Sequence, residues 1–364
     1  MSNYKVELER TENQDLEIKK HISDVKDIVK NKVNKDVNGL NSIKELLKNE
    51  TLGGYIVDDF IKIENLEEVL MINDYSCYKL KHSSTIGSDT TSVSLNNKFF
   101  AVISNDSDLV LFDEVDGKIW SKRVDFSIYR DADVLLVLSD GSVICPVSDG
   151  SIIISKDGLT SSKLNYGSYG MVSDDKEEYI YFANKNNITK TNMKFEKIKS
   201  TNINESPNDI VFGFDNNIYV YYKHGLVIKL DAELNILLRI EMKMSYSFDV
   251  GKSIMCTGDS SGYQTVYNVD GKKILSKKDN SKTVQSMSVD AFDNIYSSIG
   301  GNSVTKMPAT LDNKIATFDA GGMVRNTDVN KIGDIVTTSS SGHIRKYNIV
   351  RELLGYKVLK VERG

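Results

Sequence analysis

The 364-residue sequence contains only three cysteines and four histidines. Three cysteines cannot all pair with one another, and none of Cys77, Cys145 and Cys256 stands in a CxxC spacing, so neither a zinc site nor a redox pair is indicated. We expect these cysteines to be small buried residues. Because no nucleophile stands beside a candidate base and no histidines cluster, the sequence predicts no catalytic residues, no metal site and no cofactor.

Basic charge is also limited, since 46 Lys and Arg stand against 51 Asp and Glu and the net charge is -5. A protein that binds nucleic acid through the phosphate backbone needs clustered cations, so no nucleic-acid partner is expected. Residues 1–20 are polar and charged, and no run of eighteen apolar residues follows. We therefore predict neither a signal peptide nor insertion into a membrane.

An amphipathic pattern covers the first fifty residues. Its apolar positions recur every three or four residues, at Ile18, Ile22, Val25, Val29, Val33, Val37, Leu40, Ile43 and Leu47. The mean step of about 3.6 residues is the period of an α-helix with one apolar stripe. The pair Gly53-Gly54 would end this helix.

The stripe requires a partner, because a helix with four valines gains stability mainly by burying its apolar face. Either the helix packs on the rest of its own chain, or identical stripes associate in a coiled coil with almost no supercoil. The second alternative would make residues 18–47 an oligomerisation segment of a homo-oligomer.

Beyond Thr91, short runs of Val, Ile, Tyr and Phe alternate with Gly, Asp, Asn and Ser, which indicates an all-β chain. One hairpin recurs seven times, for example as NNKFFAVISNDSDLVLF from Asn96 and as DNNIYVYYKHGLVIKL from Asp215. The second strands of these hairpins begin 36 to 43 residues apart, at Leu109, Ile152, Ile188, Leu226, Tyr263, Val304 and Ile344. This spacing is that of one four-stranded blade, so we predict a seven-bladed β-propeller.

We place a helical attachment segment at residues 1–54 and the propeller at residues 55–364. Residues 55–90 contain two strand-like runs, which either close the ring by pairing with the last blade or belong to an eighth blade. Five Asp-Gly pairs are predicted to form type I′ hairpin turns. Calcium sites are not expected there, because no DxDxDG loop with a distal Glu is present.

Two parts of the chain resemble known protein families. The runs FDNNIYV (Phe214–Val220) and FDNIYSS (Phe292–Ser298) and the two VDGK corners resemble blades of NHL, PQQ-like and WD40-like propellers, although the WD dipeptide is missing. These families share no single activity, so the resemblance implies the architecture alone. The segment DIVKNKVNKDVNGLNSIKELL (Asp27–Leu47) resembles helical segments of tail-fibre and baseplate proteins of bacteriophages that infect Gram-positive bacteria. That resemblance implies a virion tail component with a helical stem and a β-rich head.

Candidate binding residues stand in the connections between blades, which gather around the central channel on one face of a propeller. Aromatic and arginine side chains dominate many binding sites. Those in the predicted connections are Tyr129, Arg130, Tyr166, Tyr169, Tyr246 and Arg325. They suit stacking on a sugar or contact with a protein, and the alternative is that they only cap the blades.

The first functional interpretation is a non-enzymatic structural and binding protein of a phage-like tail, fibre or baseplate, located in the virion. Its partners would be other tail proteins and a glycan or protein of the host-cell surface. The alternative is a cytoplasmic propeller scaffold that binds other proteins and packs its helix on its own ring. A third class, a propeller lyase or glycan hydrolase, would need histidines or carboxylates around the channel.

Overall fold

The computed structural model describes residues 4–10, 78–349, 352–353 and 356–363, apart from short gaps at 88, 114–116, 126–134, 148–149, 168, 279–281, 300, 313 and 331–332. All regular elements in these ranges are β-strands. The predicted helix at residues 18–47 lies outside the described residues. Within them, no helix has the length and apolar character needed to cross a membrane.

The two chain termini contribute to one small sheet. Strand β1 (Tyr4–Arg10) pairs antiparallel with β31 (Tyr356–Arg363), and β31 also pairs with β30 (Glu352–Leu353). This sheet belongs to a unit made of residues 1–78 and 349–364.

Residues Lys79–Asn348 form a second unit of seven antiparallel four-stranded sheets, which are blades 1 to 7 of a β-propeller. The first strands of the blades are β3 (Thr90–Leu95), β7 (Leu136–Val137), β11 (Gly170–Ser173), β15 (Asp209–Phe212), β19 (Ser247–Val250), β23 (Val284–Val289) and β27 (Val324–Val329). The second strands are β4 (Phe99–Ser104), β8 (Val143–Val147), β12 (Tyr179–Ala183), β16 (Ile218–Tyr222), β20 (Ile254–Gly258), β24 (Ile295–Ile299) and β28 (Ile335–Ser339).

The third strands are β5 (Asp108–Asp113), β9 (Gly150–Ile154), β13 (Asn187–Asn192), β17 (Leu226–Leu230), β21 (Tyr263–Asn268), β25 (Ser303–Met307) and β29 (His343–Ile349). The outer strands are β6 (Gly117–Arg123), β10 (Ser161–Leu164), β14 (Lys197–Asn202), β18 (Ile236–Glu241), β22 (Lys273–Lys278), β26 (Ala316–Asp319) and, in blade 7, β2 (Tyr78–Thr85). All seven strand starts that the sequence predicts fall within the third strands, so the seven-bladed all-β prediction is confirmed.

The ring is closed at two levels. The first strands of successive blades are neighbours all the way round, and β27 of blade 7 lies beside β3 of blade 1. The outer strand of blade 7 is β2, which precedes blade 1 in the sequence and pairs with β29. Next to this pairing, the Ile86 N–H donates to the Gly342 carbonyl at 2.9 Å. Of the two alternatives for residues 55–90, β2 thus takes the ring-closing position, and residues 55–77 lie outside the described residues.

The hydrophobic core lies between neighbouring blades. Between blades 1 and 2, for example, Phe99 and Leu111 pack with Val143 and Cys145, and similar clusters join blades 2 and 3, 3 and 4, 4 and 5, 5 and 6, and 7 and 1. The second strand of each blade is covered on both faces by the neighbouring blades. Accordingly, the second strands β4, β8, β16, β20 and β28 are buried at every position. In β4, β8 and β16 this burial appears in the sequence as a mostly apolar run, whereas β20 and β28 also bury threonines.

Short polar side chains connect the first strands to one another around the channel. The Val137 N–H donates to Ser94 Oγ at 3.1 Å, the Val289 N–H to Asp249 Oδ2 at 2.6 Å, and the Leu95 N–H to Asp328 Oδ2 at 2.7 Å. Each acceptor lies in the first strand of the preceding blade. These bonds pair backbone groups that the inner edge of a sheet would leave without partners.

The Asp-Gly turns differ from the type I′ prediction at Gly141, Gly158 and Gly271. The N–H of each glycine donates to the carbonyl three residues earlier, and only the glycine, not the preceding Asp, has a positive φ. A type I′ turn requires positive φ at both central residues, so the prediction is wrong there. In the turns of Gly158 and Gly271 the reason is a polar side chain at the first position. Ser155 Oγ accepts the Thr160 N–H at 3.1 Å and Asn268 Oδ1 accepts the Lys272 N–H at 2.7 Å, which favours a type I turn.

Candidate functional site at the channel mouth

A cavity of about 330 Å³ opens on the face formed by the blade-to-blade connections and by the turns between second and third strands. Blades 1, 4, 5, 6 and 7 contribute to its lining. We call six of the lining residues the mouth site: Asp89, Thr91, Lys223, Tyr246, Gln285 and Arg325.

Three residues of the mouth site stand at β-bulges in three consecutive blades. The ladder between first and second strands skips one residue in blade 6, in blade 7 and in blade 1, and the skipped residues are Gln285, Arg325 and Thr91. Blades 3, 4 and 5 have a regular ladder at this place. A bulge redirects a side chain relative to the sheet and is common beside binding sites. Here it turns three side chains toward one cavity.

Arg325 is held by a carboxylate across the join between the last and first blades. Its Nε donates to Asp89 Oδ1 and its Nη2 to Asp89 Oδ2, both at 2.8 Å. This two-bond geometry is the strongest arrangement available to an arginine and a carboxylate. Arg325 therefore presents an ordered, largely neutralised guanidinium to the mouth.

The opposite side of the mouth carries a cation stacked on an aromatic ring. Lys223 Nζ lies 4.4 Å from the centre of the Tyr246 ring, a distance at which the ring attracts the ammonium group. Lys223 begins the turn that joins β16 to β17, and Gly225 ends it with φ +99°. A Cβ at Gly225 would lie 2.3 Å from the Met242 carbonyl oxygen, so only glycine fits between this turn and the connection that leads to Tyr246.

Tyr221 and Phe248 hold in place the connection between β18 and β19, which contains Tyr246. The Tyr221 hydroxyl lies 2.6 Å from the Ser245 carbonyl oxygen, to which it donates, and its ring stacks on Phe248 at 4.9 Å between centres. Burial raises the pKa of Tyr221 to about 12, so the hydroxyl keeps its proton and remains a donor near neutral pH. The backbone of residue 245 is thereby anchored next to the exposed Tyr246.

A second ion pair joins this connection to the turn between β20 and β21. Lys243 Nζ binds Asp259 Oδ2, and it lies 4.4 Å from the centre of the Tyr263 ring. Burial alone would raise the pKa of Asp259, but the hydrogen bonds from Lys243 and from the N–H groups of Tyr263 and Ser261 outweigh burial and hold the pKa below its usual value. Asp259 is therefore ionised at neutral pH and fixes Lys243 beside the mouth.

The structure brings together two of the six binding residues that the sequence suggests. Tyr246 and Arg325 both line the mouth. Tyr166 instead packs against Phe182, with ring centres 5.5 Å apart, and Tyr169 packs on the core between blades 3 and 4. Tyr129, Arg130 and the stripe at residues 18–47 lie outside the described residues, and their roles stay predictions.

Sequence reasoning missed Thr91, Gln285, Lys223 and Asp89. A signal was present, since the bulged first strands read TTSVSL, VQSMSV and VRNTDV, with Ser or Asn third and Ser or Asp fifth. These small polar residues form the blade-to-blade bonds, and the second residue of each run is the bulged one. Aligning the first strands of all blades would have separated these three from the others.

The described residues offer little of what covalent or metal chemistry requires. Within them, no three His, Cys, Asp or Glu side chains are grouped closely enough to hold a metal ion. Cys145 and Cys256 are buried, and burial raises the pKa of both thiols, which disfavours the nucleophilic thiolate. The mouth site instead offers hydrogen-bond donors and acceptors, an aromatic ring and the side chains of Lys223 and Arg325, which are groups suited to binding.

Comparisons with known proteins agree on the fold. No family model and no curated protein sequence matches the chain. Among solved structures, the WD40 domain of Pan2 from Neurospora crassa is similar with a TM-score of 0.61 and 11% identity, over 77% of this chain and 98% of that one. The WD40 β-propeller domain of Doa1 is similar with a TM-score of 0.57 and 13% identity, over 76% and 98%. At such identities the similarity shows a WD40-like propeller fold alone, so a function has to be argued from the mouth site.

Proposed function

We propose that this protein is a non-catalytic binding module whose mouth site holds a segment of a partner protein. The observation that carries the proposal is the set of three bulges in consecutive blades, which turn Thr91, Gln285 and Arg325 toward one cavity. Each of the three bulges, which stand at equivalent places, leaves one residue of the first strand out of the pairing with the second strand. Bulges of this kind are common beside binding sites.

The chemistry of the mouth fits a polypeptide. A cavity of about 330 Å³ accepts one or two side chains, while Gln285 and Arg325 offer donors to main-chain carbonyls. Met244 and Met323 lie two residues before Tyr246 and Arg325, and they are 65% and 38% exposed. Tyr, Met and Arg are enriched in protein interfaces, so the rim of the mouth has the composition of one.

The tail-component interpretation is a more specific form of this proposal. Its support is the stripe at residues 18–47, which would attach or oligomerise the chain while the ring binds a tail protein or a host-surface protein or glycan. A cytoplasmic scaffold would use the same mouth site. Light scattering on the full chain and on residues 54–364 separates these forms, because an oligomerisation stem predicts an oligomer that becomes a monomer when the stem is removed.

The mouth site itself is tested by selecting peptides from a random library of displayed 16-residue peptides, with the full chain as bait. Synthetic copies of the enriched peptides are then titrated by fluorescence anisotropy. We expect Tyr246→Ala to weaken binding about tenfold or more, as for an aromatic residue central to an interface. Gln285→Ala should also weaken binding, because it removes the amide that the bulge turns toward the cavity.

Leu159→Ser is the matched control, because Leu159 is 81% exposed and lies in the turn before β10, away from the mouth. It should leave the peptide affinity unchanged. A selection without enriched peptides, or peptides that bind Tyr246→Ala and Gln285→Ala as tightly as the unaltered chain, would contradict the proposal.

A further inference from the structure

The outer strands of the propeller differ in charge from the rest of the chain. They carry twelve Lys and Arg residues and two Asp and Glu residues, although acidic residues outnumber basic ones in the whole sequence. The cations are Lys79, Lys81, Lys118, Lys122, Arg123, Lys163, Lys197, Lys199, Arg239, Lys273, Lys277 and Lys278. Lysines on edge strands discourage pairing between the edges of different molecules, which explains part of this pattern.

The outer strands share a second regularity, a β-bulge, which also protects an edge, but edge protection does not explain the exposed aliphatic residue at the bulge. The ladder between third and outer strands skips one residue in blades 3, 4 and 5, and the skipped residues are Ile198, Leu237 and Ile274. Their side chains are 48%, 52% and 56% exposed. Blade 1 has the same bulge at Ile119, whose side chain is only partly exposed. Three adjacent blades therefore present an aliphatic side chain at the same place of the rim.

Blade 4 lacks the lysines that its two neighbours carry on their outer strands. Its outer strand β18 has the sequence ILLRIE, in which Arg239 and Glu241 cancel in charge and no lysine occurs. Ile236 is exposed next to Leu237. Exposed consecutive apolar residues on an edge strand without lysine are a feature that proteins usually avoid unless a partner covers them.

Contacts near the turn ends tie the three outer strands into one surface. Lys199 Nζ of β14 donates to the Glu233 carbonyl oxygen in the turn before β18. On the other side, a Cβ at Gly271 in the turn before β22 would lie 2.5 Å from Ile240 Cγ2 of β18, so these elements are in close contact. The outer strands that carry the exposed aliphatic residues are thus in contact from blade 3 through blade 4 to blade 5.

We propose that this rim surface, defined by Ile198, Ile236, Leu237 and Ile274, docks an acidic segment of a protein that carries aliphatic side chains. The apolar centre lies on β18, and cations flank it on β14 and β22, with Lys197 and Lys273 preceding the bulged residues. An apolar centre inside a charged margin is the usual composition of a protein interface. The flanking charge is complementary to carboxylates, which selects an acidic partner over a basic one.

The rim surface is independent of the mouth site, so the experiment uses a chain whose mouth is altered. The bait is the full chain with Tyr246→Ala, and the probe is the random 16-residue peptide library. We expect enriched peptides that combine Asp or Glu with Leu, Ile or Val. Synthetic copies should bind at least tenfold more weakly to a bait that also carries Leu237→Glu, and several-fold more weakly with Ile198→Glu or Ile274→Glu. Binding should also weaken when NaCl is raised from about 50 mM to about 500 mM.

Leu159→Glu is the control for adding a charge at an exposed leucine outside the rim surface, and it should leave binding unchanged. Ile236→Ser, a milder change, keeps the test valid if Leu237→Glu disturbs the strand. The proposal is overturned by a selection without enriched peptides, by enriched peptides without acidic residues, or by affinities that Leu237→Glu leaves intact. It is also overturned if Leu237→Glu converts a dimer to a monomer in light scattering, because the occupant would then be a second copy of the chain.

Discussion

The guanidinium of Arg325 and the carboxylate of Asp89 form two hydrogen bonds of 2.8 Å across the place where the last blade meets the first. The same pair lines the mouth site, so one contact both closes the ring and arranges a binding surface. Ring closure therefore limits how freely the mouth can change shape.

A double-mutant cycle measures this contact. Arg325→Ala and Asp89→Ala, alone and together, should give a coupling free energy of unfolding of about 1 kcal/mol, because the pair is bidentate and only partly exposed. The control cycle uses His224 and Glu205, whose side chains are more exposed and whose closest atoms are 3.7 Å apart, and its coupling should be near zero. Equal coupling free energies in the two cycles would show that the Arg325–Asp89 pair does not stabilise the contact between blades 7 and 1. Urea denaturation supplies all of these values.

The turn below Tyr246 depends on a glycine. Gly225→Ala combines a left-handed backbone with a Cβ only 2.3 Å from a backbone oxygen, so the turn must move. Gly117→Ala is a matched control, since Gly117 has φ +79° and nothing within 4 Å of the added Cβ. We expect Gly117→Ala to lower the free energy of unfolding by about 1 kcal/mol, because alanine is strained in a left-handed backbone conformation. Gly225→Ala should lower it clearly more. Similar losses in thermal unfolding would contradict the close approach.

Two neighbouring tyrosines differ in whether the hydroxyl forms a hydrogen bond. The Tyr221 hydroxyl binds Ser245, whereas the Tyr222 hydroxyl is buried with no hydrogen-bond partner among the described residues. Tyr221→Phe should lower the free energy of unfolding by about 1 kcal/mol and weaken peptide binding at the mouth, because Tyr246 loses its anchored neighbour. Tyr222→Phe should be neutral or stabilising and leave binding intact. The opposite ranking, measured by urea denaturation and anisotropy, would refute this assignment.

Acid sensitivity is expected from Asp215. Its Oδ2 lies 2.8 Å from Lys229 Nζ and accepts the Tyr219 hydroxyl at 2.8 Å. Burial alone would raise the pKa of Asp215, but the hydrogen bonds from Lys229, Asn217 and Tyr219 outweigh burial and lower it. The stabilisation is therefore complete above the usual aspartate pKa of about 4 and is lost as the pH falls through the lower folded value.

Asp215→Asn should accordingly lower the free energy of unfolding by about 2 kcal/mol at neutral pH and flatten its decline below about pH 4. The measurement is urea denaturation at a series of pH values. Asp312→Asn, which changes an exposed carboxyl, should leave the profile unchanged. An acid profile of Asp215→Asn that parallels the unaltered chain would argue against this contribution.

The architecture could be read from the sequence because each blade repeats a local pattern. Apolar runs such as FFAVIS and IYVYY mark second strands, and turn residues such as Asn268 and Gly271 mark the corners, so the blade count follows from the spacing of the repeats. The turn type was mispredicted because the side chain of Asn268, outside the Asp-Gly pair, decides it.

The mouth site was harder to predict because it depends on contacts between blades. Tyr246 and Arg325 were recognisable as interface residue types in connections, and so were Tyr166 and Tyr169, which the structure places in packing contacts. Gln285 has no distinctive chemistry, and it faces the mouth because of a one-residue shift in strand pairing. Such a shift is a property of two strands together and is hard to see in either one.

The location of the bound segment is the most direct test of the account. Methyl spectra of the full chain labelled with ¹³C at the methionine methyl groups would be recorded with and without a selected peptide. Met287 lines the cavity and Met244 lies two residues before Tyr246, while Met193 packs between blades 2 and 3. We predict that the peptide shifts the signals of Met244 and Met287 and leaves that of Met193 in place. A shift confined to Met193 would contradict a binding site at the channel mouth.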